Sequence, residues 1–314
     1  MRKRYGRILL GLALLVCTNG GDVWSQEARF AEIDKRVDSL FVLASSGEVM
    51  HRDLVQPAID SLAAMGAAAV PRLIEIYDTQ DARERQTINN ILVKIGKPAV
   101  PYLVNSLTLD NAEQVGRICA TLGEIKDSAA VEGLIEAAGH ADWRVRSEAV
   151  GSLGKIADSR GNGAMAYLLL DTVGLVRKSA AVAAGSLLFE PTLKTMVNML
   201  ADDFYGARLC ALEALVKFGE KAVEVIADSI NSERDLIGNL GCLALGHIGG
   251  DSAVAVLVGQ LDSPDYIRRA MAVEGIFQSG SSFGCGFVEL MKERETNPIV
   301  QQYIRKVMER HAGR

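Results

Sequence analysis

Aromatic side chains are what this sequence has least of. Phe, Trp and Tyr make up 5% of its 314 residues, while apolar residues as a whole reach 49% and are mostly Ala, Leu, Val and Ile. Small and medium apolar groups suit the close packing of many short helices. Proline is sparse, at seven, and no run of alternating β-branched residues occurs, so an all-α chain is expected. No stretch rich in Pro, Gly or Ser divides the sequence, although it exceeds one typical core in length. There is no glycine-rich phosphate loop followed by Lys, and no Cys and His at the spacing of a nucleophilic pair. The four histidines, His51, His140, His247 and His311, stand singly and far apart, which offers a metal no convergent ligands. His247, near a helix end in LGHIGG, reads as a histidine satisfied by the helix dipole. No catalytic, cofactor-binding or metal-ligating residue is expected.

Residues 1–25 form a separate segment. Arg2, Lys3, Arg4 and Arg7 make a basic head, residues 8–16 are apolar apart from Gly11, and small or polar residues follow, the order of a secretory signal. The apolar run is too short to span a bilayer. Val23 and Ser25 occupy the positions where small residues are read, which predicts cleavage after Ser25. The alternative is a lipoprotein signal, LLVC, with Cys17 acylated and TNGGD as tether, although Val16 is bulkier than the residue usual there. Either route gives an exported chain, periplasmic or secreted, or lipid-anchored in the cell envelope through Cys17. Without residues 1–25, which carry four basic residues and Asp22, 30 basic residues face 38 acidic ones, a net charge of −8. An acidic exported chain is a poor nucleic-acid binder. Cys119, Cys210, Cys242 and Cys285 remain. They belong to different parts of the pattern described next and read as buried free thiols, since free Cys packs as a small hydrophobe.

What is present is repetition. In Asp142 to Ala157, DWRVRSEAVGSLGKIA, Ala149, Leu153 and Ile156 fall at i, i+4 and i+7 on one helical stripe. Asp142 sits at the N-cap, with Arg146 four residues on at the spacing of an ion pair. Versions of this helix end at Gly66, Gly96, Lys126, Ala157, Leu188, Gly219, Gly249 and Gly280, every 30 or 31 residues. Eight residues before each end stands Ala58, Ile88, Ile118, Ala149, Ala180, Ala211, Gly241 or Ala272. Four before stands Leu62, Leu92, Leu122, Leu153, Ala184, Leu215, Leu245 or Ile276. The first column is mostly small, which predicts close approach of neighbouring first helices there; the second supplies bulk to the core. A second apolar helix follows each end after a turn. Pro71 and Pro101 suit second-helix starts, Pro57 should kink a first helix, and SRGNG, residues 159–163, should delay a second helix. Residues 26–50 read as an N-terminal capping helix, 51–292 as the repeats, and 293–314 as a C-terminal capping helix. The expected architecture is an α/α superhelix, a solenoid of about eight helix pairs.

The pattern resembles the HEAT repeat, in the short form named after phycobilin lyases. DWRVRSEAVGSLGKIADS, LCALEALVKFG and LGCLALGHIGGDSAVAVLVGQL carry the resemblance, which covers Arg52 to about Lys292. The period is shorter than the roughly 40 to 47 residues of general HEAT units. The resemblance implies a structural ladder between repeats: Arg85, Arg146, Arg177, Arg208 and Arg269 stand eleven residues before their helix ends, and Asp81, Asn111, Asp142 and Asp265 fifteen before. It also implies two other readings. One is an enzyme or chaperone of the bilin-lyase type, which nothing beyond the repeat supports. The other is nucleic-acid binding through the Arg column, disfavoured by local acidic partners and acidic charge. The iron-binding His-Glu steps of the HEAT-like deoxyhypusine hydroxylases are absent.

A non-enzymatic scaffold or adaptor that binds a protein or peptide is therefore expected. Trp143, Tyr205 and Tyr266 stand fourteen before their helix ends in alternating repeats, with Gly174 and Asp235 between. They read either as rings covering the neighbouring turn or as a row of partner anchors. Outward positions of the second helices, including Tyr102, Glu132 and Glu136, would line an inner wall that is acidic overall. Such a wall suits a basic or neutral partner.

Overall fold

The structure is a computed structural model that describes residues 23–312, with side chains described over 28–310. Residues 1–22, and with them the basic head, the apolar stretch and Cys17, lie outside the described residues. The chain divides into two compact units, with the boundary between residues 99 and 100. No strand occurs among the described residues.

The first unit holds α1 (Val23–Ala44), α2 (Arg52–Ala64), α3 (Val70–Ile76) and α4 (Ala82–Ile95). Helix α1 runs through the expected cleavage point after Ser25 and covers α2, burying Val37, Phe41 and Ala44. Helix α2 continues through Pro57 to Ala64. Arg72 on α3 holds Asp38 of α1 through Nε and Nη2 at 2.8 and 3.0 Å.

The second unit opens with α5 (Val100–Asn105). Six first helices follow: α6 (Ala112–Ile125), α8 (Trp143–Ile156), α10 (Gly174–Ser186), α12 (Tyr205–Phe218), α14 (Asp235–Ile248) and α16 (Tyr266–Ser279). They alternate with the second helices α7 (Val131–Ala137), α9 (Asn162–Leu168), α11 (Leu193–Met199), α13 (Glu220–Ser229), α15 (Gly250–Gly259) and α17 (Ser282–Lys292), and α18 (Pro298–Ala312) closes the chain. First helices pack on first helices in chain order, second helices form a parallel layer, and α18 packs on α16 where a further first helix would stand. This is an all-α solenoid.

The two periodic columns are its core, every member being buried. The eight positions that end the first helices are also alike in backbone: all have positive φ, including Lys126 at 58°, Ala157 at 61° and Leu188 at 50°. A left-handed residue turns the chain back at each helix end. That is why five of the eight are glycine, the residue with no Cβ to oppose it.

Two expectations need correction. Neighbouring first helices do not meet most closely at the column eight before the end. A Cβ on Gly241 would meet Ile226 and Ile230, so this column makes room for second-helix side chains. The close approach lies three before the end, at the Gly of the Leu-Gly step. A Cβ on Gly123 would come within 2.5–2.9 Å of Ser152, on Gly154 within 2.6–2.9 Å of Ala183, on Gly185 within 2.5–3.1 Å of Ala214, and on Gly246 within 2.4–2.9 Å of Gly275. Val216 fills this place in α12, and α12 and α14 run close along much less of their length. Nor does residue 159–163 delay α9, which starts five residues after Ala157, as α7 does after Lys126. Asp158 caps a 3-10 turn there by accepting the Arg160 N–H at 3.0 Å, and Gly161 is buried against Leu153.

Cys119, Cys210, Cys242 and Cys285 are free and buried. Burial pushes the thiols of Cys119 and Cys242 up to about 12, and the thiolate is the reactive form. At pH 8 both should resist a thiol-reactive maleimide in the folded chain and react once denaturant opens it. Labelling of either at the folded-state rate of a surface cysteine, read by peptide mass mapping, would contradict the burial.

Candidate functional site

The Arg column sits where each repeat meets the next. Arg146 on α8 grips Asp171 through Nε and Nη2 at 2.7 and 2.9 Å, and its Nη1 donates to the carbonyls of His140 and Ala141, both at 2.9 Å. Arg177 grips Asp202 at 2.6 Å through the same two nitrogens, and Arg269 grips Glu295 at 2.7 and 3.0 Å. Each acid lies 25 or 26 residues beyond its Arg, in the turn before the next helix. Asp171, Asp202 and Glu295 each also accept the backbone N–H two residues on, at 2.8 Å. Burial raises the carboxyls of Asp171 and Asp202, and the facing guanidinium and that N–H outweigh it, holding both below the usual range. Glu295 is lowered chiefly by Arg269.

The Asp column does other work. Asp81 accepts the N–H groups of Arg83 and Glu84 at 2.8 and 3.1 Å, Asp142 that of Arg144 at 2.8 Å, and Asp265 that of Ile267 at 2.9 Å. These are N-caps, and Arg146 reaches Asp171 rather than Asp142. Arg85 donates to the Gln80 carbonyl at 2.6 Å and Arg208 to that of Asp202 at 3.1 Å. The bases of the column are thus taken up within the stack rather than presented to a phosphate backbone.

Trp143, Tyr205 and Tyr266 each occupy the first residue of a first helix, along one edge of the second unit. Tyr205 is 67% and Tyr266 38% exposed, while Trp143 is half-buried. Arg144 lies over Trp143 at 4.8 Å and Arg208 over Tyr205 at 5.5 Å, holding both rings by cation–π contact. The gap at Gly174 has a steric cause: the Phe204 ring lies where a Cβ would stand, 2.4–3.0 Å away. Leu175, Leu236 and Ile267, also in first turns, are exposed as well, so the edge carries apolar groups at successive helices.

Tyr102, Glu132 and Glu136 stand instead on second helices, α5 and α7, and do not join the aromatic row. Tyr102 is half-buried and Glu136 exposed. Glu132 pairs with Arg160 at 3.2 Å in solvent, a contact worth little. The same layer exposes Tyr167 on α9 and Leu170 just beyond it. Their neighbourhood includes a shallow cavity of about 350 Å³ lined by Leu169, Leu170, Thr195 and the Arg177–Asp202 pair.

Residues 116–186 and 193–276, the heart of this stack, match the family model for HEAT repeats. The chain is a HEAT-repeat protein. Its fold is similar to that of Kap121p bound to Pho4p, with a TM-score of 0.58 and 13% identity over 96% of this chain and 40% of Kap121p. It is also similar to the CpcE–CpcF phycocyanin lyase of a Nostoc species, at 25% identity and TM-score 0.44 over 47% of this chain and 98% of that one. Human deoxyhypusine hydroxylase aligns at 15% identity and TM-score 0.33, over 90% and 98%. No curated protein matches the sequence.

One motif escapes the sequence reading. Residues 280–284, GSSFG, fit the Gly-x-Ser-x-Gly pattern of a nucleophile elbow, which requires a strand running into a helix. In this HEAT protein the context is helix to helix: Gly280 ends α16, and Ser281 caps α17 by accepting the Gly284 N–H at 3.1 Å. Ser282 is exposed. Among the described residues no three His, Cys, Asp or Glu side chains converge as a metal site would need.

Proposed function

We propose that this HEAT-repeat protein is a non-enzymatic scaffold that binds a protein or peptide partner. The observation that carries this reading is the aromatic row at the first-helix starts, half-buried at Trp143 and exposed at Tyr205 and Tyr266. Rigid amphipathic rings are the groups that anchor protein partners. Leu175, Leu236 and Ile267 add exposed apolar surface along the same edge. Kap121p, similar in fold, is found with Pho4p bound. The chain works after export, periplasmic or secreted, with residues 1–25 as its signal; the lipoprotein form, anchored through Cys17, is the other route to the same envelope.

The test is affinity capture from the native envelope with the full chain and with Trp143→Ala/Tyr205→Ala/Tyr266→Ala. The triple variant should lose at least tenfold of a partner identified by mass spectrometry while its helical circular dichroism and unfolding midpoint stay near wild type. Equal loss of partner and helicity would reduce the rings to a structural role. A coloured adduct on incubation with a tetrapyrrole would favour the bilin-lyase reading instead.

A further inference from the structure

The last second helix, α17, turns two unlike faces. Gly284, Cys285, Val288 and Met291 are buried, whereas Phe283, Phe287 and Leu290 stand at i, i+4 and i+7 on the other side. Phe283 and Leu290 are 67% and 69% exposed. The rings of Phe283 and Phe287 meet edge to face with centroids 5.1 Å apart. Phe287 and Leu290 continue, with Val258, Gly259 and Leu261, into a groove of about 450 Å³ beside α15, which Asp262 and Arg294, paired at 2.7 Å, also line. Gly259 adds no side chain to this groove, a Cβ there would meet nothing within 4 Å, and Ser252 and Ala255 are exposed on the same helix. An apolar patch of this kind with a polar rim marks a binding surface.

Across α15 stands α13, whose exposed face carries Glu224 and Asp228, one helical turn apart and without an ion-pair partner among the described residues. The cations nearby are engaged: Lys221 with Glu190, Lys194 on the Ser229 hydroxyl at 3.1 Å, and Arg294 with Asp262. On α17, Glu289 and Lys292 offset each other. The face is thus apolar on one side and net acidic on the other.

We infer that the α13–α15–α17 face receives an extended, basic segment of a partner protein. An apolar residue of that segment enters the groove at Phe287 and Leu290, and a Lys or Arg meets Glu224 and Asp228. Packed helices lie 8–10 Å apart, so groove and carboxylates are separated by about 15 Å. That distance is spanned by about four or five residues of extended chain, which fixes the spacing between anchor and cation. A second copy of this chain is disfavoured as occupant, because the cations of this face are already engaged or offset and would leave Glu224 and Asp228 without a charge partner. The inference rests on the reading of the chain as a protein-binding scaffold.

A phage-displayed library of random 12-residue peptides, selected on the full-length chain, tests it. The enriched peptides should share an aromatic or Leu residue with Lys or Arg four or five positions away. The best of them, made synthetically, should lose at least tenfold in affinity both to Phe283→Ser/Leu290→Ser and to Glu224→Lys/Asp228→Lys, and should bind more weakly as salt rises. All four substitutions are at exposed positions, and circular dichroism checks that the variants fold. Failure to enrich any peptide, enrichment without a basic residue, or binding indifferent to both variants overturns the inference. So does a wild-type dimer in light scattering that Phe283→Ser/Leu290→Ser dissociates. If selected peptides respond only to the Trp143, Tyr205 and Tyr266 substitutions, this surface fails while the scaffold reading stands.

Discussion

Gly246→Val should be the most damaging single substitution in the second unit. A Cβ on Gly246 would stand 2.4 Å from the Cα of Gly275, 2.7 Å from its carbonyl oxygen and 2.9 Å from its carbonyl carbon. Each of these is a backbone atom, so no flexible side chain can swing aside. Helices α14 and α16 must separate, and every contact along that seam lengthens with them. Overpacking a core costs about 1–3 kcal/mol where side chains can adjust, and a forced backbone shift puts the expected loss at about 3 kcal/mol or more. Urea unfolding followed by circular dichroism reads it directly. Gly163→Ala supplies the contrast: nothing lies within 4 Å of its added Cβ and the residue sits in helix α9. Stability should hold or rise by about 0.5–1 kcal/mol there, because Ala restricts the unfolded chain. If both variants unfolded at the wild-type midpoint, α14 and α16 would not approach as closely as the glycine pair requires.

That seam shows what the sequence discloses and what it hides. A repeat of 30 or 31 residues is legible because one constraint, burial of a first-helix stripe, acts eight times in register, as at Ala149 and Leu153. The helix ends are legible for a related reason, since five of the eight left-handed positions are Gly. Which small column sets the helix spacing is not legible. Gly241 and Gly246 are both small and both buried, and only the three-dimensional stack shows that one faces α13 while the other faces α16. The Arg column presents the same difficulty. Arg146 and Arg177 recur visibly, but their acids, Asp171 and Asp202, lie in the next turn at a place that also holds His140 and Ser263. The nearer Asp142 looks the more natural partner until its carboxylate is found on the Arg144 N–H. Among candidate binding residues, Trp143, Tyr205 and Tyr266 stand out because they share a register. Phe283, Phe287 and Leu290 do not, since α17 departs from the pattern of the other second helices.

Arg177→Met should cost about 3 kcal/mol and should change how the chain responds to acid. The guanidinium is 17% and the Asp202 carboxylate 7% exposed, so removal of the base leaves a buried acid whose one remaining hydrogen-bond donor is the Phe204 N–H, with Arg208 acting on it from beyond. Breaking one side of a buried pair costs about 3–5 kcal/mol; the rim position of this pair argues for the lower end. Asp202→Asn keeps an acceptor for the Phe204 N–H while removing the charge, so Arg177→Met/Asp202→Asn should be less damaging than the two single losses added together. Arg160 is the control. It is half-exposed, its partner Glu132 lies in solvent and Asp158 is partly exposed, so Arg160→Met should move the midpoint far less than Arg177→Met. The pH dependence follows from the same contacts. Asp171, Asp202 and Glu295 are held below their ordinary values when folded, so their contribution is complete above the unfolded carboxylate range, about pH 4. It is lost as pH falls through their lowered folded values. Wild type should therefore lose stability steeply below about pH 4, and Arg177→Met less steeply, because its Asp202 keeps only the weaker pull of Arg208 to favour the charged form. Parallel profiles for the two proteins would show that the Arg177–Asp202 contact does not hold successive repeats together.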